Sequence, residues 1–247
     1  MEIPKFNIAV LIDGDNAQPK LLKAILEEVS KYGKATIRRI YGDWTTPQMN
    51  SWKEIINQYS INPVQKFSYT TGKNSTDSSL IIEAMDILHG KNIDGFCIVS
   101  SDSDYTGLAK RIREEGLFVM GIGEKKTPNA FVQSCEIFTF CENITQDLSS
   151  LSKLENQKTS SIKKLVKSDT GNTSYLKIID KAFDISTDEE DQAYISTIGL
   201  NLRKIDPSFD PRTFGFKNLT SLFKSIKKYQ IVKNVVNGLN QPLVKLK

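Results

Sequence analysis

This sequence predicts an α/β protein with a doubly wound, mainly parallel sheet, followed by a small winged-helix domain. Apolar runs such as "IAVLI" and "GFCIVS" alternate with stripes at helical spacing over the first 142 residues. A polar stretch then interrupts the pattern, and the last seventy or so residues show three helical segments and a hairpin signal. Repeated strand-helix units imply parallel strands with helices on both faces.

The elements follow in order. "IAVLI" is the first strand, and Leu21, Leu22, Ile25, Leu26 and Val29 form the apolar stripe of the helix after it. "TIRRIYG" precedes a helix marked by Trp52, Ile55, Ile56 and Tyr59, and "NPVQKFS" gives a short third strand. Leu80, Ile81, Ala84, Met85 and Leu88 mark a helix before "GFCIVS". Tyr105, Leu108, Ala109 and Ile112 mark the next, "LFVMGIG" is another strand, and "EIFTF" is expected as an edge strand. This domain is placed at residues 1–142. Residues 143–172, rich in Ser, Lys, Asn, Gln and Thr with isolated apolar positions, are expected to be a linker. Residues 173–247 follow as the second domain. There "TSYLKIIDKAFDI", "DQAYISTIGLNLRKI" and "FKNLTSLFKSIKKY" read as helices, and two β-prone runs flank Asn237-Gly238, a strong hairpin signal. Three helices and a two-stranded hairpin make a winged helix.

With 247 residues, 39% of them hydrophobic, the chain can bury substantial cores. Cys97, Cys135 and Cys141 are odd in number, lie in apolar segments and lack paired zinc spacing, so they are expected as buried thiols in a reducing compartment. No basic segment leads into an apolar one at "MEIPKFN", and no apolar run approaches the roughly 18 residues of a membrane helix. A cytoplasmic location away from membranes is the expectation.

Charge divides unevenly. Residues 1–142 carry 16 basic and 18 acidic side chains, whereas residues 143–247 carry 17 and 11. From Arg203 to the C-terminus ten basic residues face two acidic ones, with Phe214, Phe216, Phe223 and Tyr229 interspersed. Such a surface attracts polyanions.

The acidic residues of the first domain form a pattern of their own. Asp13 and Asp15 follow the first strand, and Asp102 and Asp104 follow "GFCIVSS" in the same way. In open α/β sheets, ligands bind beyond the carboxyl ends of the strands where strand order reverses, so neighbouring strands would bring these acids together. Asp77 opens a helix in "KNSTDSSLIIEAMD", where a carboxylate is well tolerated, with Glu83 and Asp86 further along. Three or four converging carboxylates repel unless hard divalent cations neutralise them, and Mg²⁺ and Mn²⁺ suit oxygen ligands and phosphate substrates. His89, in "ILHGKN", reads as a surface or helix C-cap residue.

"IAVLIDGDN", "STDSSLIIEA" and "CIVSSDSDYTGLAKRIREEGLFVMGIG", with "KTPNAFVQSCEIFTF" after them, resemble the NYN domain, a branch of the PIN-like nuclease superfamily, over nearly all of residues 5–142. The resemblance implies a PIN-like fold and a Mg²⁺- or Mn²⁺-dependent ribonuclease, expected to cut internally. The family's acidic ligands and catalytic residues then fall on Asp13, Asp77, Asp102 and Asp104, with its catalytic asparagine on Asn16. Asp15 matches a position that the family often fills with an acid. Two departures stand out: Glu83 replaces a frequent aspartate, which suits a peripheral ligand, and Ser101 replaces a frequent glycine.

From about Thr173 onward, "LNLRKIDPSFDPRTFGFKNLTSLFKSI" and the hairpin resemble the LOTUS domain, also called OST-HTH. That resemblance implies RNA binding and, in animal germline relatives, helicase docking. Arg203, Lys204, Arg212, Lys217, Lys224, Lys227 and Lys228 are the candidate RNA contacts, while Asp210 is expected to cap a helix and Phe214, Phe216 and Leu219 to pack a core. RNA is the expected partner, with a protein partner through the C-terminal domain as an addition.

Other functions compete with the ribonuclease. One D-x-D after a strand also suits phosphatases, but "DGDNA" lacks the hydroxyl or valine that a haloacid-dehalogenase motif needs. A non-cleaving adaptor for RNA or protein is the main alternative, and a small-substrate phosphohydrolase the third. The full carboxylate set favours an enzyme over an adaptor, and the basic second domain favours a polymer over a small substrate.

Overall fold

The computed structural model describes residues 6–67, 75–90, 92–145, 172–236 and 238–247. Most of the expected linker, and Asn237 of the expected turn, lie outside the described residues. The chain divides into two compact units, Met1–Leu151 and Ser152–Lys247.

In the first unit β1 (Phe6–Asp13), β2 (Gly33–Gly42), β3 (Asn62–Gln65), β4 (Gly95–Val99), β5 (Phe118–Gly123) and β6 (Ile137–Phe140) form one sheet, ordered β3-β2-β1-β4-β5-β6. Every neighbouring pair is parallel. Parallel neighbours require crossovers, which α1 (Leu22–Ser30), α2 (Lys53–Gln58), α3 (Ser75–Gly90), α4 (Thr106–Glu114) and α5 (Asn129–Ser134) supply. The last of these helices was not expected from the sequence, because its six residues are too few to display a period.

Alternation along β1 sorts the two faces. Ile8, Val10 and Ile12 pack with Leu22, Ile25 and Val29 of α1 and with Met49 and Trp52. Ala9 and Leu11 face the other way, toward Leu80 and Ala84 of α3, Leu108 and Ile112 of α4, and Phe131 of α5. Ile8 to Ile12 are all fully buried, worth about 1.5–3 kcal/mol for each large side chain. Asp13 continues the row of Ala9 and Leu11, so it points to the side of α3.

The chain winds outward from β1 to β3, then returns to β4 on the other side of β1. Ile12 pairs with Val99, which makes the β1/β4 junction the point where strand order reverses. The expected edge strand "EIFTF" is present as β6.

The second unit contains α6 (Asn172–Ser186), β7 (Gln192–Tyr194), α7 (Ile195–Ile205), α8 (Leu219–Ser225), β8 (Tyr229–Val232), β9 (Val235–Val236), β10 (Leu239–Asn240) and β11 (Leu243–Leu246). Three helices and a hairpin are there, but the sheet is larger than expected. β7 pairs antiparallel with β11, which also pairs with β8, while β9 and β10 form the tip around Gly238. The "DQAYI" stretch read as helix because Tyr194 lies four residues before Ile198, in register with the apolar stripe that follows it. In the fold Ala193 is instead buried from a strand. The third helix is also shorter than its stripe and ends at Ser225, so Lys227 and Lys228 lie beyond it. Gly238 adopts φ +77°, a conformation that glycine tolerates without strain.

Candidate metal centre and nucleic-acid interface

The turn after β1 is built around Gly14. A Cβ there would lie 2.7 Å from both the Met49 methyl and the Tyr41 carbonyl oxygen. Gly14 N–H donates to that same carbonyl at 2.8 Å, which draws the turn onto β2. The tight turn leaves Asp13 fully buried and Asp15 and Asn16 exposed. Asp13 Oδ2 accepts from Asn16 Nδ2 (2.7 Å) and from Ser100 Oγ (2.9 Å), and Asp13 Oδ1 accepts from the Asp15 amide (3.2 Å).

After β4 a second turn does related work. Ser100, only 2% exposed, donates to Asp13 and accepts from the Asp102 amide at 3.1 Å, so one hydroxyl ties the two aspartate motifs together. Asp102 caps the 3-10 turn Ser103–Tyr105 by accepting from Asp104 N–H (2.9 Å). Ser101, in the place of the expected glycine, accepts from the Glu124 amide (2.9 Å) and fastens this turn to β5. From the other side, the first turn of α3 supplies Asp77, 8% exposed, whose Oδ1 accepts from Tyr105 Oη at 2.7 Å.

The carboxylates of Asp77, Asp102 and Asp104 each offer an oxygen within 4.8 Å of the others. Among the described residues this is where acidic ligands gather. A hard cation holding oxygens at about 2.0–2.6 Å places them about 3–5 Å apart, so these three carboxylates fit one ion. Their all-oxygen donor set suits Mg²⁺ or Mn²⁺. Asp13 is buried and lies outside the mutual 4.8 Å set, yet close enough for Asp77 and Asp15 to raise its pKa. Burial is the largest cause of that rise, which hydrogen bonds from Asn16 and Ser100 oppose. Asp77 is raised too, first by burial, then by the charges of Asp102 and Asp104, against the lowering effect of the Tyr105 hydrogen bond.

Glu83 has another occupation. Its Oε2 accepts from Arg39 Nη1 (2.6 Å) and from the buried Tyr41 hydroxyl (3.1 Å), tying α3 to β2. Asp86 is exposed, and His89 Nδ1–H donates to the Met85 carbonyl (2.7 Å) in the last turn of α3. Cys97 and Cys135 are buried free thiols, while Cys141 is only half-buried because it follows the edge strand. Burial pushes the Cys141 thiol up to about 11, which disfavours a nucleophilic thiolate.

In the second unit the candidate cations separate into two groups. Arg203 and Lys204 at the end of α7, and Lys217, Lys224 and Lys227 around α8, are exposed. Arg212 instead grips Asp210 with Nε and Nη2 at 2.6–3.0 Å, and its side chain is 13% exposed. Lys228 lies 3.1 Å from Asp180 and over the Tyr229 ring. Asp210 caps the 3-10 turn Pro211–Phe214, and Phe214, Phe216 and Leu219 pack against the core.

Sequence reasoning overlooked Ser100 and Tyr105. Tyr105 falls in an apolar stripe, which its ring satisfies, and only its placement before a helix in "DSDY" hints at a second use for the hydroxyl.

Comparison with known proteins follows the two units. Residues 7–148 match the NYN domain, and residues 156–240 match the OST-HTH/LOTUS domain. No curated protein gives a significant match. Among solved structures, a protein of unknown function from Vibrio parahaemolyticus is 17% identical, covering 58% of this chain and 98% of its own, with a TM-score of 0.49. An uncharacterized protein from Nitrosomonas europaea, solved by solution NMR, is 26% identical over 37% of this chain and 91% of its own, with a TM-score of 0.29. The NYN match spans more than half of the residues and takes in both aspartate turns and the helix that faces them; the chain belongs to the NYN domain family and carries an OST-HTH/LOTUS domain after it.

Proposed function

We infer that the protein is a divalent-cation-dependent ribonuclease that cuts RNA internally and uses its C-terminal domain to hold the substrate. The observation that carries this reading is the convergence of Asp77, Asp102 and Asp104 within 4.8 Å beside the strand-order reversal. A Mg²⁺ or Mn²⁺ ion bound there would supply a more acidic water and offset charge on the phosphate. Asp77, Asp102 and Asp104 would hold it. Buried Asp13 is tied to the Asp102 turn through Ser100 and anchors Asn16, whose amide stands at the exposed rim where a substrate strand would pass. Exposure of Asp15, Asn16 and Asp104 leaves that rim accessible to a continuing strand, as internal cutting requires.

Arg203, Lys204, Lys217, Lys224 and Lys227 serve as phosphate contacts that position RNA without reading its sequence. A protein partner docking on the same domain is the alternative use of that surface. Three free thiols fit a reducing cytoplasm, and among the described residues no helix is long and apolar enough to cross a membrane.

The test is incubation of purified protein with labelled structured and unstructured RNAs in Mn²⁺, Mg²⁺ or EDTA. Internal fragments that appear with a divalent cation and vanish in EDTA support the reading. RNA binding without cutting under every condition favours the adaptor.

A further inference from the structure

We propose that Tyr105 is a positioning residue for the cation site, acting through Asp77; this rests on the cation-dependent reading above. Asp102 and Asp104 come from a single turn and are fixed together by the Asp104 N–H to Asp102 Oδ1 bond. Asp77 arrives separately, on the first turn of α3, and must be brought to them.

Tyr105 is the last residue of that same turn, so the "DSDY" stretch carries two carboxylates and the group that holds the third. Its ring is fully buried in the core shared by α3, α4 and α5, and lies 6.3 Å from the Phe131 ring at 48°. Such packing leaves the phenol little freedom. Its hydroxyl donates to Asp77 Oδ1 at 2.7 Å, with both groups buried. A carboxylate bound at one oxygen by a fixed donor presents its other oxygen in one direction. Partners that orient a ligand in this way commonly change metal affinity or activity 10–100-fold when removed.

Tyr105→Phe keeps the ring and removes the donor. Mn²⁺ affinity measured by titration calorimetry on the full chain should fall about tenfold, and single-turnover cleavage should slow while the KM for RNA stays unchanged. A double-mutant cycle separates positioning from general loosening. In the Asp77→Ala background, Tyr105→Phe should produce no further loss of Mn²⁺ affinity, because the acceptor through which it acts is gone.

Wild-type Mn²⁺ affinity in Tyr105→Phe would overturn the proposal and leave the ribonuclease reading standing. Equal losses in both backgrounds would also overturn it, since Tyr105 would then act independently of Asp77. A wild-type protein that binds no Mn²⁺ would overturn both.

Discussion

Replacing Asp77 with asparagine should make the cation-free protein more stable while removing its response to cations. The carboxylate of Asp77 is buried and lies within 4.8 Å of those of Asp102 and Asp104. At that separation two unit charges repel by about 1 kcal/mol in a water-like dielectric and about 3 kcal/mol at an effective dielectric of about 20. Asp104 is exposed and Asp102 half-buried, so the lower value applies to each pair. Asparagine removes both repulsions and still accepts from Tyr105, although a neutral acceptor makes a weaker bond. The net gain should be about 1–2 kcal/mol, or roughly 3–6 °C in the melting transition of the first unit. Thermal melts in EDTA, monitored by circular dichroism, measure it. Added Mn²⁺ should then reverse the order: wild type should gain about 3 kcal/mol at a hundredfold excess over its dissociation constant, and Asp77→Asn much less. An Asp77→Asn protein that melts lower than wild type in EDTA, with the same Mn²⁺ response, would refute the reasoning.

Other expectations follow from the same contacts. Asp13 and Asp77 both have carboxyl pKa values raised from the ordinary 3.8, so the folded state binds more protons than the unfolded chain, and their contribution is lost as pH rises through the folded values. Urea midpoints in EDTA from about pH 4 to about pH 7 should therefore fall less in Asp13→Asn/Asp77→Asn than in wild type. Ser100→Ala strips a buried donor from Asp13 and an acceptor from the Asp102 amide, and should cost about 1–3 kcal/mol in denaturant titration. Lys217, Lys224 and Lys227 changed together to Glu should weaken RNA binding for unrelated sequences and flatten its salt dependence, read by anisotropy at several salt concentrations. Arg212→Ala should instead lower stability by about 3 kcal/mol through the stranded Asp210, with the salt slope of RNA binding unchanged.

The sheet and its acidic edge were readable because their signals are local. β1, β4 and β5 are apolar runs, α1, α3 and α4 carry stripes, and each aspartate pair falls at a strand end, so neighbouring strands bring the two turns side by side. Depth at the site was not readable. Asp13 and Asp15 look equivalent in "DGDN", yet the Gly14 turn buries one and exposes the other. Glu83 and Arg212 looked available from their charge, and each is taken by a partner, Glu83 by one 44 residues away and Arg212 by one two residues away. Tyr105 shows the general difficulty: its ring obeys the apolar pattern while its hydroxyl has a separate role. Strand β7 was hidden because three residues beside a helix stripe carry no period of their own.

Cleavage by Asp102→Asn tests the central claim most directly. The substitution keeps the size of a side chain whose oxygen caps its turn and removes the charge offered to a cation. Single-turnover cutting of a labelled RNA should be rapid for wild type in Mn²⁺, absent in EDTA, and reduced at least 100-fold in a folded Asp102→Asn protein. Wild-type rates from Asp102→Asn, in preparations free of contaminating nuclease, would contradict the account.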